Sequence, residues 1–461
     1  LTTIPFSAGS MPDIETQFEN PRLLNAFINN EGGANTVHNF PVPVQLAALS
    51  DVRQIFSSGY NGGIYIVATN TGIYTVDSSG TSQFVSSIPY SALPVTICEN
   101  LQYQVTITDG ENAYVYSQKT DKFQQLNDGS IAGFDLKNPN SCTVLNSFTI
   151  ISDADSNMWQ VSGANNALSW NASDKQQIES VATQLVGVCS FKNNLIIVGA
   201  DAVERWVPSV EANEYMFPFQ RDDNFRTDYG AAGSGLITSD IDEVTFLSSD
   251  YRAIVIDDSG TTTVSTPGMS AIWESQYADE IGTAMASFFS YKGLYFIQYT
   301  FSDRGWVYCM DTQKWCETTE LFLGADGAVV KIDGVYNLTD QQDGYRRLVE
   351  IITPDLRFND GANSYRSVLN AVRASIIQGR SQKTQPDYLE LSISCDGLKW
   401  GNSVKSVIGK TGERVAKTQW RLSMAANQFG FRLRYYGDQE FILYQLDGIF
   451  NPPVQVMEKP T

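Results

Sequence analysis

The chain contains one histidine, His38. Any Ser-His-Asp or Cys-His arrangement would have to recruit it, because the imidazole takes the nucleophile's proton. No GxSxG element supplies a nucleophile elbow. No GxxxxGKS or GxxxxGKT loop and no GxGxxG after a strand is present to cradle a phosphate. His38 therefore reads as a solvated turn histidine. In SDADSN (152–157), Asp153, Asp155 and Asn157 alternate as they do in loops that aim oxygens at calcium. Met158 stands where the sharp turn requires Gly, and no Glu closes the loop, so an acidic turn is expected instead. The six cysteines form no CxxC pair, which points to buried reduced thiols rather than zinc.

Two C-terminal stretches carry further chemistry. SISCDGLKW (392–400) places Ser394, Asp396, Gly397 and Trp400 one residue short of the sialidase Asp-box, S-x-D-x-G-x-x-W. A glycosidase also needs paired carboxylates across the scissile bond, or a Tyr/Glu couple with an arginine cluster. Nothing specifies such a set, so an Asp-Gly hairpin turn with a packed Trp is the expectation. In Arg432-Leu433-Arg434-Tyr435-Tyr436, strand periodicity puts the two arginines on one face and Leu433 and Tyr435 on the other. The sequence thus assigns no catalytic residues, no metal ligands and no cofactor, and the chain reads as a non-enzyme. The alternative kept open is a carbohydrate-binding or sialidase-like propeller.

The elements that carry these residues repeat. Residues 60–80, YNGGIYIVATNTGIYTVDSSG, are two alternating runs around Asn70-Thr71-Gly72, the pattern of a β-hairpin. Similar hairpins recur at 102–117, 147–162, 194–208, 243–257 and 293–311. Their spacing of roughly 40 to 50 residues suits propeller blades. Further strand-like runs precede or follow several of them, giving about four strands per unit. The expected fold is all-β: a β-propeller of about six blades over residues 46–345, with 327–338 as an open seventh. An irregular N-terminal arm covers residues 1–45, and a helix-like stretch covers 271–289. Longer alternating runs at 368–379, 388–401, 419–437 and 440–450 point to an antiparallel β-sandwich over residues 346–461.

Charge follows the same division. The net charge is −20, yet residues 361–461 hold 13 Lys/Arg against 8 Asp/Glu. The first 360 residues therefore carry −25. An acidic chain of this kind is not built for sequence-specific DNA binding, which takes a basic footprint. Arg414, Lys417, Arg421, Arg432 and Arg434 are the candidate partner-docking residues, facing carboxylates of a neighbour. No apolar run is long enough to span a bilayer, and the given start shows no signal peptide.

The order of elements resembles the packaged-DNA stabilisation proteins of short-tailed phages, also called tail hub or nozzle proteins. The residues that carry the resemblance are ENPRLLNAFINNEG, the segment 252–299, YLELSISCDGLKWG and FGFRLRYYGDQEFILYQLDGIF. It implies a structural protein of the virion tail, made in the host cytoplasm. It also implies a homo-oligomer, a hexameric ring, below the portal and adaptor rings. Tailspikes or tail fibres would attach outside, a needle or plug would close the tip, and genomic DNA would pass through the channel without specific binding. No membrane insertion is implied.

Overall fold

A computed structural model describes the chain except residues 7, 13–20, 32, 181–182, 210–216, 226, 326, 341–343, 361–362, 365, 379–386, 409–414 and 452–461. Among the described residues, seven four-stranded meanders follow one another. Blades 1 to 6 run from Val52–Ser58 to Ser82–Ser87, Thr96–Glu99 to Lys122–Gln125, Pro139–Leu145 to Asn166–Gln177, Leu185–Phe191 to Phe219–Arg221, Ile237–Ser239 to Gly260–Thr263, and Met285–Tyr291 to Lys314–Thr318. Blade 7 has three strands, Leu323–Ala325, Ala328–Lys331 and Gly334–Thr339, and takes its fourth, Val42–Ala48, from the other end of the chain. The first strand of each blade lies against the first strand of the next, and Leu323–Ala325 returns to Val52–Ser58, so the ring closes. The count left open between six and seven is seven.

Each hairpin legible in the sequence is the middle pair of strands of a blade, and packing explains why. Ile66 and Ala68 face blade 2, in a cluster with Val105, Ile107 and Tyr114. Val67 and Val76 face blade 7, in a cluster with Ala328, Val330 and Val335. A middle strand is thus buried on both faces and reads as a nearly continuous apolar run. Polar clasps join the inner strands of neighbouring blades. The Cys142 amide donates to Thr96 Oγ1 (2.9 Å), and the Ser141 hydroxyl donates to the Val188 carbonyl (3.0 Å). All six cysteines are free thiols.

The helix-like stretch is shorter than the sequence implies. The helix is Pro267–Tyr277, capped by the Thr266 side chain with Pro at its first turn. It buries Met269, Trp273 and Tyr277 against Tyr299, Trp306 and Trp315 of blade 6. Residues 285–291 are the inner strand of that blade instead, paired residue for residue with Leu294–Thr300.

The N-terminal segment is not irregular where it is described. Ala26–Glu31 and Ala34–Asn39 form a hairpin that pairs with Phe441–Phe450, followed by Ser367–Gln378 and Val415–Ala426. That is one sheet of the sandwich. The other holds Arg347–Ile352, Gln428–Gly437, Asp387–Ser394 and Val404–Ile408. Arg22–Leu24 pairs antiparallel with Arg347–Ile352 and parallel with Lys314–Thr318 of blade 6. One continuous sheet therefore runs from the propeller into the sandwich. A shared core of Phe27, Phe40, Phe289, Phe296 and Phe322 fills the junction.

Candidate docking surfaces

Across the sandwich part of the continuous sheet, Lys405, Glu390, Arg434 and Glu350 stand in register and alternate in charge. Lys405 pairs with Glu390 (3.0 Å), and Glu390 stands opposite Arg434. Arg434 Nε donates to Glu350 (2.5 Å). Arg22 then bridges Glu350 (3.3 Å) and Glu317, the latter through two of its nitrogens (3.0 and 2.8 Å). Arg304 reaches Glu317 from blade 6 (2.5 Å). Glu317 and Glu350 are buried, and a buried carboxylate needs its full set of donors. This ladder fastens the sandwich to the propeller.

The ladder decides what the sequence-chosen basic residues have left to offer. Arg434 is engaged within its own chain. Arg432 lies over the Trp400 ring, 4.6 Å from its centroid. Arg414 lies outside the described residues. Lys417 and Arg421 are exposed on Val415–Ala426, the edge strand of the first sandwich sheet. The neighbouring strand adds Arg373, whose Nε donates to Gln419 (3.0 Å), and Arg366 precedes it. Sequence reasoning missed Arg366 and Arg373. Strand alternation in RSVLNAVRASII marks Arg373 as outward-facing, but only the pairing of Arg373 with Gln419 and of Ala371 with Arg421 brings the cations onto one face.

The propeller presents the opposite sign. In a four-stranded meander, the turns after second and fourth strands share one face of the ring. That face exposes Glu111, Asp128, Asp155, Asp201, Glu274 and Asp279. Several of its cations are already paired, Arg205 with Asp222 (2.5 Å), Arg252 with Asp250 (2.9 Å) and Lys175 with Asp135. On the other face, Lys192 answers Asp258 and Asp242, and Lys292 answers Asp340 and Glu440. The acidic face also holds a cavity of about 490 Å³ lined by Val52, Arg53, Leu93, Glu280, Phe301 and Ile332 among others. Burial pulls the Arg53 guanidinium below its ordinary value, opposed mainly by the Asp109 charge.

The other singled-out residues have structural surroundings. His38 is buried, not solvated. It stacks on Phe27 (5.4 Å between centroids), with Nε2 2.9 Å from Thr36 Oγ1. Asp153 accepts from the Asn138 amide (3.0 Å), and Asp155 accepts from the Asn138 side chain (2.6 Å). Asp396 accepts from the amides of Leu398 and Lys399 (2.9 Å each), which hold its carboxyl below the usual range, and Gly397 takes φ +73°. That is turn chemistry of the Asx kind. Among the described residues, no group of three or more His, Cys, Asp or Glu side chains is placed to hold a metal ion.

Residues 48–324 match the family described as "Bacteriophage P22 Gp10, beta-propeller", and residues 357–447 match "Bacteriophage P22 Gp10, beta-sandwich". The chain belongs to the bacteriophage P22 Gp10 family. The members of this family are structural proteins of the phage tail that stabilise packaged DNA, and the resemblance read from the sequence is shown. No curated protein matches the chain. Among solved structures, virginiamycin B lyase from Staphylococcus aureus aligns at 11 % identity and TM-score 0.44, over 65 % of this chain and 98 % of that one. A chain of the mitotic checkpoint complex aligns at 9 % identity and TM-score 0.41, over 64 % and 90 %. The Gp10 family match spans both the propeller and the sandwich. No helix among the described residues is long and apolar enough to cross a membrane.

Proposed function

We propose that this Gp10-family chain is a non-enzymatic tail hub, or nozzle, assembled as a hexameric ring beneath the portal and adaptor rings. The ring holds packaged DNA in the capsid and conducts it at ejection. Tailspikes or fibres sit on its outer surface, and a needle or plug closes its tip. The chain is made in the host cytoplasm and built into the virion there.

The observation that carries this reading is the family match to both halves of the molecule, with those halves joined by one sheet and one ladder of buried charge. A conduit under the pressure of packaged DNA benefits from a subunit that cannot flex at its waist. The surplus of carboxylates in the first 360 residues suits a channel wall that repels phosphate and lets duplex slide. Electron cryo-microscopy of the purified protein and of the virion tests it. Six-fold rings with an axial channel, located at the tail vertex, are expected. A discrete monomer absent from the tail would overturn the reading. So would tight, salt-sensitive binding of duplex DNA by the protein.

A further inference from the structure

We infer that the basic outer face of the first sandwich sheet docks on the acidic face of the propeller of a second copy of this chain. The inference rests on the ring reading, and it names the two surfaces that meet. Arg366, Arg373, Lys417 and Arg421 share one side of adjacent strands, with Asp447 the carboxylate in register with Arg373. Lys417 and Arg421 have no charged partner within the chain among the described residues. Val415 and Tyr444, each about half exposed, give the same sheet apolar area.

The complementary surface lies on the same chain but on a different body. Glu111 and Asp279 stand on the acidic face, Glu111 next to Gly110, which abuts the cavity-lining Leu93, and Asp279 next to the cavity-lining Glu280, with Glu274 on the helix just before it. Leu93 and Ile332 are exposed there and supply the apolar counterpart. Between chains the two surfaces make a heterologous contact, the kind that closes into a ring when the rotation allows. Complementary potentials of this sort fix register and speed encounter.

The contact is tested by charge exchange. One variant carries Lys417→Glu and Arg421→Glu; the other carries Glu111→Lys, Glu274→Lys and Asp279→Lys. All five positions are exposed, so circular dichroism and thermal melts should match the wild type; Lys417→Gln with Arg421→Gln is the milder check should the reversal misfold. Sedimentation velocity should show each variant alone at least about tenfold weaker in self-association than wild type. Mixing the two should restore assembly, because each basic face then meets an acidic one. Wild-type association should also weaken as salt rises.

Variants that assemble like wild type would overturn the contact while leaving the ring intact. Folded variants that fail to rescue each other on mixing would overturn the pairing of these two surfaces. Wild-type protein that does not self-associate at all would overturn it as well. Salt-sensitive open chains in place of rings would support the contact and sink the ring. Binding of a duplex DNA probe that is lost with Lys417→Glu and Arg421→Glu, while assembly stays unchanged, would assign the basic face to nucleic acid instead.

Discussion

The propeller and the sandwich reach closed cores by opposite routes. Blades 1 to 6 each take their four strands from consecutive sequence, so pairing within each is local. Among the described residues, blade 7 takes its fourth strand, Val42–Ala48, from far away, and the outer strand of blade 6 adds the distant Arg22–Leu24 beside it. In the sandwich, distant pairing is the rule: Ala34–Asn39 pairs with Phe441–Phe450, and Arg22–Leu24 with Arg347–Ile352. The N-terminal 48 residues therefore complete both bodies. Local pairing costs little loop entropy, and distant pairing costs more and forms later.

Removing residues 1–48 should break this arrangement most severely. The deletion strips the closing strand from blade 7, the hairpin from the sandwich and the strand that joins the two bodies, leaving Gly334–Thr339, Phe441–Phe450, Lys314–Thr318 and Arg347–Ile352 with open edges. The expected product aggregates or lacks a cooperative melt by circular dichroism. Deleting residues 1–11 instead removes the short pairing of Thr2–Thr3 with Phe441–Phe450, and should only lower the melting temperature. If the longer deletion melted like wild type, the N-terminal strands would be accessories rather than closures.

The same contrast sets what the sequence could disclose. Hairpins such as 60–80 and 102–117 announce themselves because both strands and the turn lie within about twenty residues and the pattern has period two. Blade 7 was ambiguous because its fourth strand lies almost three hundred residues earlier, in a stretch that begins after Pro41. Strands 26–31 and 34–39 look like an irregular arm in the sequence for the same reason, since their partner is near the other terminus. His38 looked solvated because sequence does not reveal that Phe27 lies in register beside it. Arg434 looked free because its partner Glu350 lies on a different strand. Periodicity reports which face a residue takes, and only pairing reports what shares that face.

The junction offers a sharper cut between the two bodies. Arg22→Met keeps most of the side-chain volume while taking donors from Glu317 and Glu350, each left with one arginine. Removing one member of a largely buried ion network should cost about 2 kcal/mol here, below the fully buried range because Arg22 is partly exposed. The measurable sign is a split: one urea transition followed by tryptophan fluorescence should become two. A single unshifted transition would mean that the shared apolar core alone couples propeller and sandwich.

Arg434 and Arg421 separate ladder from docking surface. Both are sandwich arginines, but Arg434 donates to the buried Glu350 and Arg421 has no charged partner within the chain among the described residues. Arg434→Ala should destabilise the monomer by about 1 kcal/mol, discounted because its side chain is well exposed. Arg421→Ala should stay within about 0.5 kcal/mol, as surface changes do. Equal effects in urea unfolding would remove the distinction.

The smallest effect concerns the propeller alone. Glu243, in the turn between the first two strands of blade 5, has its carboxyl pushed up to about 7, first by burial and then by Asp240, Asp257, Asp242 and Asp311. Lys192 nearby is already paired with Asp258 and Asp242. Because the native group holds its proton more tightly than the unfolded chain does, stability falls as pH rises from the ordinary carboxylate range near 4.5 to about 7, then levels. Glu243→Gln removes that fall. The variant should match wild type at pH 4 and exceed it at pH 8 by about 0.5–1 kcal/mol, reduced from the full linkage value because the site is half solvated. A junction variant such as Arg22→Met should leave that fall in place, since it touches neither Glu243 nor the carboxylates around it. If Glu243→Gln gave the same stability difference at both pH values, a hydrogen bond or packing change, rather than crowded charge, would be its cause.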